Sequence, residues 1–267
     1  MKPIVRAGRM KPVHSDIRGP LFVEAMKRQK QGIDILKLNT GNPATFGFGL
    51  PDSIKNALME HMQDGVGYCD FKGMPQARQA ICDYETSKGI KGITPDDVFI
   101  GNGVSEVVSF ALTPLLNDGD EVLVPSPSYS LWGNSVYLED GKPVFYPKEL
   151  LLEIIQIARE SGLLIFADEI YDRLVMDGKQ HISLASLTED VPVITLNGLS
   201  KSHCLCGYRC GWMVISGPRE LTEDYRQGII QLTSLRLCAN TMAQIVIPAA
   251  LDDMETPASM VRPGGRI

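Results

Sequence analysis

From residue 97 onward the sequence alternates short apolar runs with helix-length stretches, and this limits the possible folds more than any other feature. The runs are Val98-Phe99-Ile100, Glu121-Val122-Leu123-Val124, Val144-Phe145-Tyr146, Leu163 to Asp168, Val193-Ile194-Thr195-Leu196 and Gly211-Trp212-Met213-Val214-Ile215. They are short and largely unbroken by polar residues, as strands covered on both faces are. Helices expected at about 105–116 and 148–160 separate them. The pattern therefore predicts an α/β fold on a mostly parallel sheet.

Upstream, Gly19-Pro20 opens a helix, with Leu21 and Ala25, and Phe22 and Met26, as i,i+4 apolar pairs. Ile35-Leu36-Lys37-Leu38 reads as a short strand leading into the loop Asn39-Thr40-Gly41-Asn42-Pro43. Two more helices are expected near 52–63 and 75–88, the second started by Pro75 and stopped by Gly89. Beyond Pro218 the chain reads as mainly helical to about Asp252, and Arg262 to Arg266 as a loop.

Charge and cysteine content exclude several classes. A net charge of −6 without a Lys/Arg-rich run argues against nucleic-acid or anionic-membrane partners, while leaving room for a local phosphate pocket. No apolar run approaches the ~20 residues that span a bilayer. Met1 to Arg6 is too polar for a signal-peptide core, so a cytoplasmic location is expected. Six cysteines fit reduced thiols rather than a disulfide framework. Cys204, Cys206 and Cys210 cluster without a second Cys/His pair, so no metal site is expected.

The chemistry-bearing residues follow the strands. Lys201, after the run ending at Leu196, offers an amine that can attack an aldehyde when neutral. Asp168 ends an apolar strand, where ligands bind in open parallel sheets, and Tyr171 adds a phenol three residues on. Gly101-Asn102-Gly103-Val104-Ser105 precedes a helix, so its amides and the Ser105 hydroxyl can hold a phosphate at the favourable end of the helix dipole. Ser200 and the permanently charged Arg209 can add contacts to that phosphate. Singly, each has a plainer reading: a surface lysine, a capping aspartate, a core tyrosine, an empty N-cap, a turn serine, a surface arginine.

Together, Gly101-Asn102-Gly103, Asp168-Glu169-Ile170-Tyr171, Asn197-Gly198-Leu199-Ser200-Lys201 and Arg209 resemble the fold-type-I pyridoxal-phosphate (PLP) aminotransferases of class I/II. Gly67-Tyr68-Cys69-Asp70 and Arg236-Leu237-Cys238-Ala239-Asn240 point to the bacterial alanine-aminotransferase branch. The resemblance runs from Asp16-Ile17-Arg18-Gly19-Pro20 to Pro263-Gly264-Gly265-Arg266. It implies PLP held by Lys201, with Asp168 at the ring nitrogen, Tyr171 at the phenolate oxygen and Tyr129 stacked on the ring. Gly103, Val104, Ser105, Ser200 and Arg209 would hold the phosphate, helped by Tyr68 of a second subunit in a homodimer. Gly41 would approach the substrate carboxylate. The substrates implied are an amino acid and a 2-oxo acid, with alanine and 2-oxoglutarate giving pyruvate and glutamate. The domains implied are an N-terminal arm with part of a small domain (1–45), the PLP-binding large domain (46–252) and the start of a C-terminal region (253–267).

The sequence departs from that family in two places. Between Tyr146 and Lys148 the family has a further strand and an Asn-Pro-x-x-Pro-Thr-Gly motif. After Ile267 it has a small domain with a carboxylate-clamping arginine. Losing the strand should make its neighbours re-pair or leave buried backbone groups unsatisfied, at about 1–3 kcal/mol each. A shortened chain and a longer one lacking these segments would read alike. Two other functions are compatible with the residues: a non-catalytic PLP-binding remnant or oligomer partner, and a PLP-dependent carbon–sulfur lyase.

Overall fold

Strands β1 (Val98–Gly101), β4 (Ile165–Asp168), β5 (Val193–Gly198) and β6 (Gly211–Ser216) form a four-stranded sheet in the order β1-β6-β5-β4. The structure, a computed structural model, describes residues 3–15, 17–38, 41–147 and 153–262. The chain divides into two compact units, one of Met1–Gly41 with Leu115–Leu151 and one of Asn42–Pro114 with Leu152–Ile267. The four-stranded sheet belongs to the second.

In this sheet β4 and β5 are parallel, and β6 runs antiparallel to both β5 and β1. Every residue of β1, β5 and β6 is buried, which explains their unbroken apolar character. Alternation sends Val98, Ile100, Trp212 and Val214 to one face. There they pack with Ile54 of α2 (Asp52–His61), Ala77 and Ile81 of α3 (Pro75–Ser87), and Ile247 and Ala250 of α10 (Ile247–Asp252). Helix α4 (Val104–Leu112) packs on β1, β5 and β6 and contacts α8 (Glu223–Arg236).

Inside this packing Arg226 of α8 is 4% exposed. Its Nη1 donates to Asp97 Oδ1 at 2.6 Å, Nη2 to the Ile215 carbonyl at 3.0 Å and Nε to Thr222 Oγ1 at 3.0 Å. Each of its three nitrogens thus donates a hydrogen bond, and Asp97 offsets the buried charge. Asp97 also accepts from the Thr94 amide and hydroxyl, tying the turn before β1 to α8.

The first unit holds the parallel pair β2 (Glu121–Ser126) and β3 (Lys142–Pro147), connected through α5 (Leu131–Leu138). Val124 and Val136 are buried, while Leu123 and Phe145 are more than half exposed. A two-stranded sheet with one helix leaves apolar surface uncovered. The described strands thus fall into two separate sheets.

Most expected elements form, with boundaries moved by a few residues: α1 is Pro20–Lys30, α3 ends at Ser87 and α4 at Leu112. The expected helix to residue 160 is α6 (Ile154–Ser161); its expected start at Lys148 lies outside the described residues, as do Asp16, Asn39, Thr40 and Pro263 to Arg266. Two expectations are corrected. The α/β fold stands, but the four-stranded sheet is mixed and not mostly parallel, because β6 enters it antiparallel to both its neighbours. Ile35 to Leu38 is no strand, and Leu36 and Leu38 are exposed, because β-propensity forms no strand without a neighbour to complete the ladder. Helix α5, helices α7 (Leu199–Ser202) and α9 (Thr241–Ile245), and α11 (Glu255–Val261) complete the described helices.

Candidate active site

The register brings the expected site to one edge of the second unit's sheet. Gly101 of β1 faces Gly211 of β6, and Gly211 faces Gly198 of β5. On the next strand Asp168 of β4 faces Leu196 of β5. The carboxyl ends of β1, β4 and β5 therefore share one edge, where open α/β sheets place ligands. Helix α7 begins straight after β5 and carries Ser200 and Lys201, both half-buried. Asp168 is exposed at the end of β4, and Tyr171 is exposed three residues later.

Backbone geometry at this edge makes a cradle. Gly103 has φ +83° just before α4, and a Cβ there would collide with the Arg209 guanidinium. A Cβ on Gly211 would strike the Val104 nitrogen, so β6 closes against the start of α4 only with glycine. Arg209 itself has φ 55°, a left-handed conformation costing about 1–2 kcal/mol for a residue with a side chain. Its Nη1 donates to the Cys206 carbonyl at 2.9 Å. The guanidinium is thus held beside Gly103 at the N-terminus of α4, whose first amides have no partner within the helix, the arrangement that binds a phosphate dianion. The residues present fit the phosphate end of PLP.

Sequence reasoning missed what holds this cradle. Glu106 Oε2 accepts from the Asn102 amide at 2.7 Å and from Arg236 Nη1 at 2.6 Å. Arg236 Nη2 reaches the carbonyls of Phe71 and Ile100, and Asn102 Oδ1 accepts from the Asn240 amide at 2.9 Å. These bonds bind Gly101-Asn102-Gly103 to the Arg236–Asn240 segment. The signal was in the sequence: both segments carried the family resemblance, but their mutual contact is not readable from spacing.

A second missed set lies beneath Asp168 and Tyr171. Glu169 and Asp172 are buried and meet Lys88, which follows α3. Burial pulls the Glu169 carboxyl upward, but bonds from His181, Lys88 and Ser183 outweigh it and bring the pKa down to about 2. The bond to Glu169 is the main cause that raises His181 above its ordinary range. Glu85, fully buried, is pushed upward by desolvation against the pull of Lys88 and Trp212.

Three expected residues remain, Tyr68, Gly41 and Tyr129. Tyr68 is 83% exposed on the segment that Gln244 holds by accepting from the Met74 amide at 2.7 Å and donating to the Ala239 carbonyl. Gly41 and Tyr129 belong to the first unit, and both are exposed. Among the described residues no group of three or more His, Cys, Asp or Glu could hold a metal ion, the six cysteines are free, and no single helix is long and apolar enough to cross a membrane.

Comparison with known proteins shows the family. The family profile "Aminotransferase class I and II" matches residues 33–150 and 144–261. The glutamate-pyruvate aminotransferase AlaA of Haemophilus influenzae is 42% identical across the whole chain, which spans 76% of that protein. The alanine aminotransferase of Mycobacterium tuberculosis is 37% identical, with 71% of it covered. Among solved structures, an aminotransferase from Escherichia coli superposes with TM-score 0.94 at 40% identity, over 99% of this chain and 75% of that one. The alanine aminotransferase of Pyrococcus furiosus superposes with TM-score 0.90 at 33% identity, over 96% and 75%. The alignment to the Haemophilus protein runs over 306 positions although this chain has 267 residues, so that relative carries residues this chain lacks. The two profile matches meet at 144–150, where the expected Asn-Pro-x-x-Pro-Thr-Gly segment is missing. With a phosphate cradle at Gly103 and Arg209, a lysine on α7 and this likeness over its whole length, the chain belongs to the class I and II aminotransferases, a family whose chemistry runs on PLP.

Proposed function

We propose that this chain is built to transfer the amino group between alanine and 2-oxoglutarate in a cytoplasmic homodimer. The observation that carries this reading is the shared edge: Lys201 after β5, Asp168 at the end of β4, and Arg209 over the start of α4. Alanine as donor rests on the relatives' names, glutamate-pyruvate and alanine aminotransferase.

When bound, PLP supplies an electron sink for negative charge at the substrate Cα. Arg209, Ser200, Ser105 and the amides of Val104 and Ser105 hold its phosphate, an interaction of charge-assisted bonds at a helix N-terminus. Asp168 would keep a proton on the ring nitrogen, and the Tyr171 hydroxyl would donate to the ring oxygen. Lys201 Nζ would hold the cofactor and would take and return the proton at the substrate Cα as general base and acid. The family resemblance further implies that Tyr129 would stack on the ring, that Gly41 would approach the substrate carboxylate, and that Tyr68, highly exposed on its own subunit, would contact the phosphate held by a partner.

The test is to purify the chain, add PLP and record the absorbance of the bound cofactor, then assay alanine with 2-oxoglutarate. We expect a visible band lost in Lys201→Ala, a borohydride-fixed adduct on Lys201 by peptide mass, and pyruvate release. No band with the folded protein would defeat the reading. A band without pyruvate release would favour a non-catalytic PLP binder, a reading supported by the missing segment at 144–150 and the division of the strands into two sheets.

A further inference from the structure

The turn after β4 carries two residues of the proposed site on its outer side and two buried carboxylates on its inner side. Asp168 and Tyr171 are exposed, whereas Glu169 and Asp172 are buried. Backbone bonds from Asp172 to Glu169 and from Leu174 to Tyr171 shape the turn, each 2.9 Å. Which side faces out is decided by what the inner carboxylates grip.

They grip Lys88. Its Nζ lies 2.9 Å from Glu169 Oε2, 3.2 Å from Asp172 Oδ2 and 2.6 Å from Glu85 Oε2. The Glu85 contact is an ion pair without hydrogen-bond alignment, while Glu85 Oε1 accepts from Trp212 Nε1 of β6 at 3.0 Å. Glu169 also accepts from Ser183 Oγ at 2.8 Å and the Leu184 amide at 3.1 Å, and contacts His181 Nε2 at 3.0 Å. Asp172 accepts from Tyr84 Oη and Asn197 Nδ2, each at 2.6 Å. One ammonium thus joins α3, β6 through Glu85, and both inner residues of the turn. Among the described residues Lys88 is the cation that all three buried carboxylates share, so moving it would leave them without their common partner.

We propose that Lys88 is a positioning residue that fixes the Asp168–Tyr171 turn, and through it the groups facing the cofactor ring. It touches neither cofactor nor substrate; it sets where Asp168 and Tyr171 stand. The proposal rests on the function proposed above for those two residues, but its mechanical part does not.

The test compares wild type, Lys88→Met and Lys88→Arg by amide hydrogen exchange and by PLP titration. In Lys88→Met, exchange across residues 168–173 should rise about 10-fold while β5 and β6 keep wild-type protection. PLP affinity should fall about 10-fold, with a shifted absorbance band, because small misplacements of a site are costly. Lys88→Arg, which keeps the charge, should restore both to within about threefold. Unchanged exchange at 168–173, or an equal rise across the whole sheet, would overturn the proposal. If Lys88→Met does not fold, His181→Gln removes one Glu169 partner from a half-exposed position; it should speed exchange at 168–173 by about threefold, and no local change would overturn the proposal. Failure of wild type to bind PLP would sink the proposed function and leave the exchange measurement decisive for Lys88.

Discussion

Asn197 Nδ2 donates to Asp172 Oδ2 at 2.6 Å, so the end of β5, four residues before Lys201, is bonded to the turn that carries Tyr171. Asn197 also accepts from the Gly198 amide at 2.7 Å and is 2% exposed. One buried side chain thereby holds together the two strand ends from which Lys201 and the Asp168–Tyr171 turn extend.

Replacing Asn197 with Ala should cost about 1–3 kcal/mol, since Asp172 loses a buried donor but keeps Tyr84 and Lys88. Urea unfolding with an unchanged m-value would register the loss. A cost below a few tenths would mean the bond contributes nothing net.

Gly103→Ala puts a methyl group into the Arg209 guanidinium at a positive φ. The expected result is a loss of about 1–3 kcal/mol of stability. Phosphate and PLP affinity should fall about 10-fold as the guanidinium is pushed off the start of α4. Isothermal titration with inorganic phosphate and with PLP reads the binding effect. Ser105→Ala, at an exposed position, should weaken binding with little change in unfolding.

Glu169 gives the acid side of the stability profile. Its pKa is lowered from 4.5 to about 2, so its contribution is present above about 4.5 and is lost as pH falls through about 2. A shift of that size corresponds to roughly 3 kcal/mol at neutral pH. Glu169→Gln should therefore be much less stable than wild type at pH 6, and the gap should close on acidification through that window. His181 is raised by the same contact, so its share is present below its ordinary value and fades as pH rises through the raised one. Thermal melts of wild type, Glu169→Gln and His181→Gln across pH would show both flanks.

Arg226→Met should cost about 3–5 kcal/mol by leaving Asp97 buried without its close cation. Arg219, 3.7 Å from Asp97 and mostly exposed, is a weak substitute. Replacing Asp97 and Arg226 together by apolar residues should recover a large part of the loss, which a double-mutant cycle in urea measures.

Individual elements show how far the sequence could be read. The runs at 98–100, 193–196 and 211–215 became strands because burial on both faces demands continuous apolar character, and that is visible locally. The run Ile35 to Leu38 looks equally strand-like, yet no described strand pairs with it. Lys201, Asp168 and Arg209 were legible as a set through their order and family likeness. The grip of Lys88 on Glu169 and Asp172 was not, because 81 and 84 residues separate the partners and no local pattern marks the pairing.

The sequence by itself determined the strands of the second unit and most of its helices, though not α7 or α11, together with the glycines that let β6 meet α4, and the family. Those properties follow from periodicity, φ preference and short motifs, which act over a few residues. Only the tertiary structure decided that the strands split into two sheets, that Glu106 and Arg236 brace the phosphate cradle, and that Lys88 anchors the turn beneath Asp168 and Tyr171. Each of these depends on which distant groups share a buried space, where an unpaired charge or backbone group costs several kcal/mol and so dictates its partner.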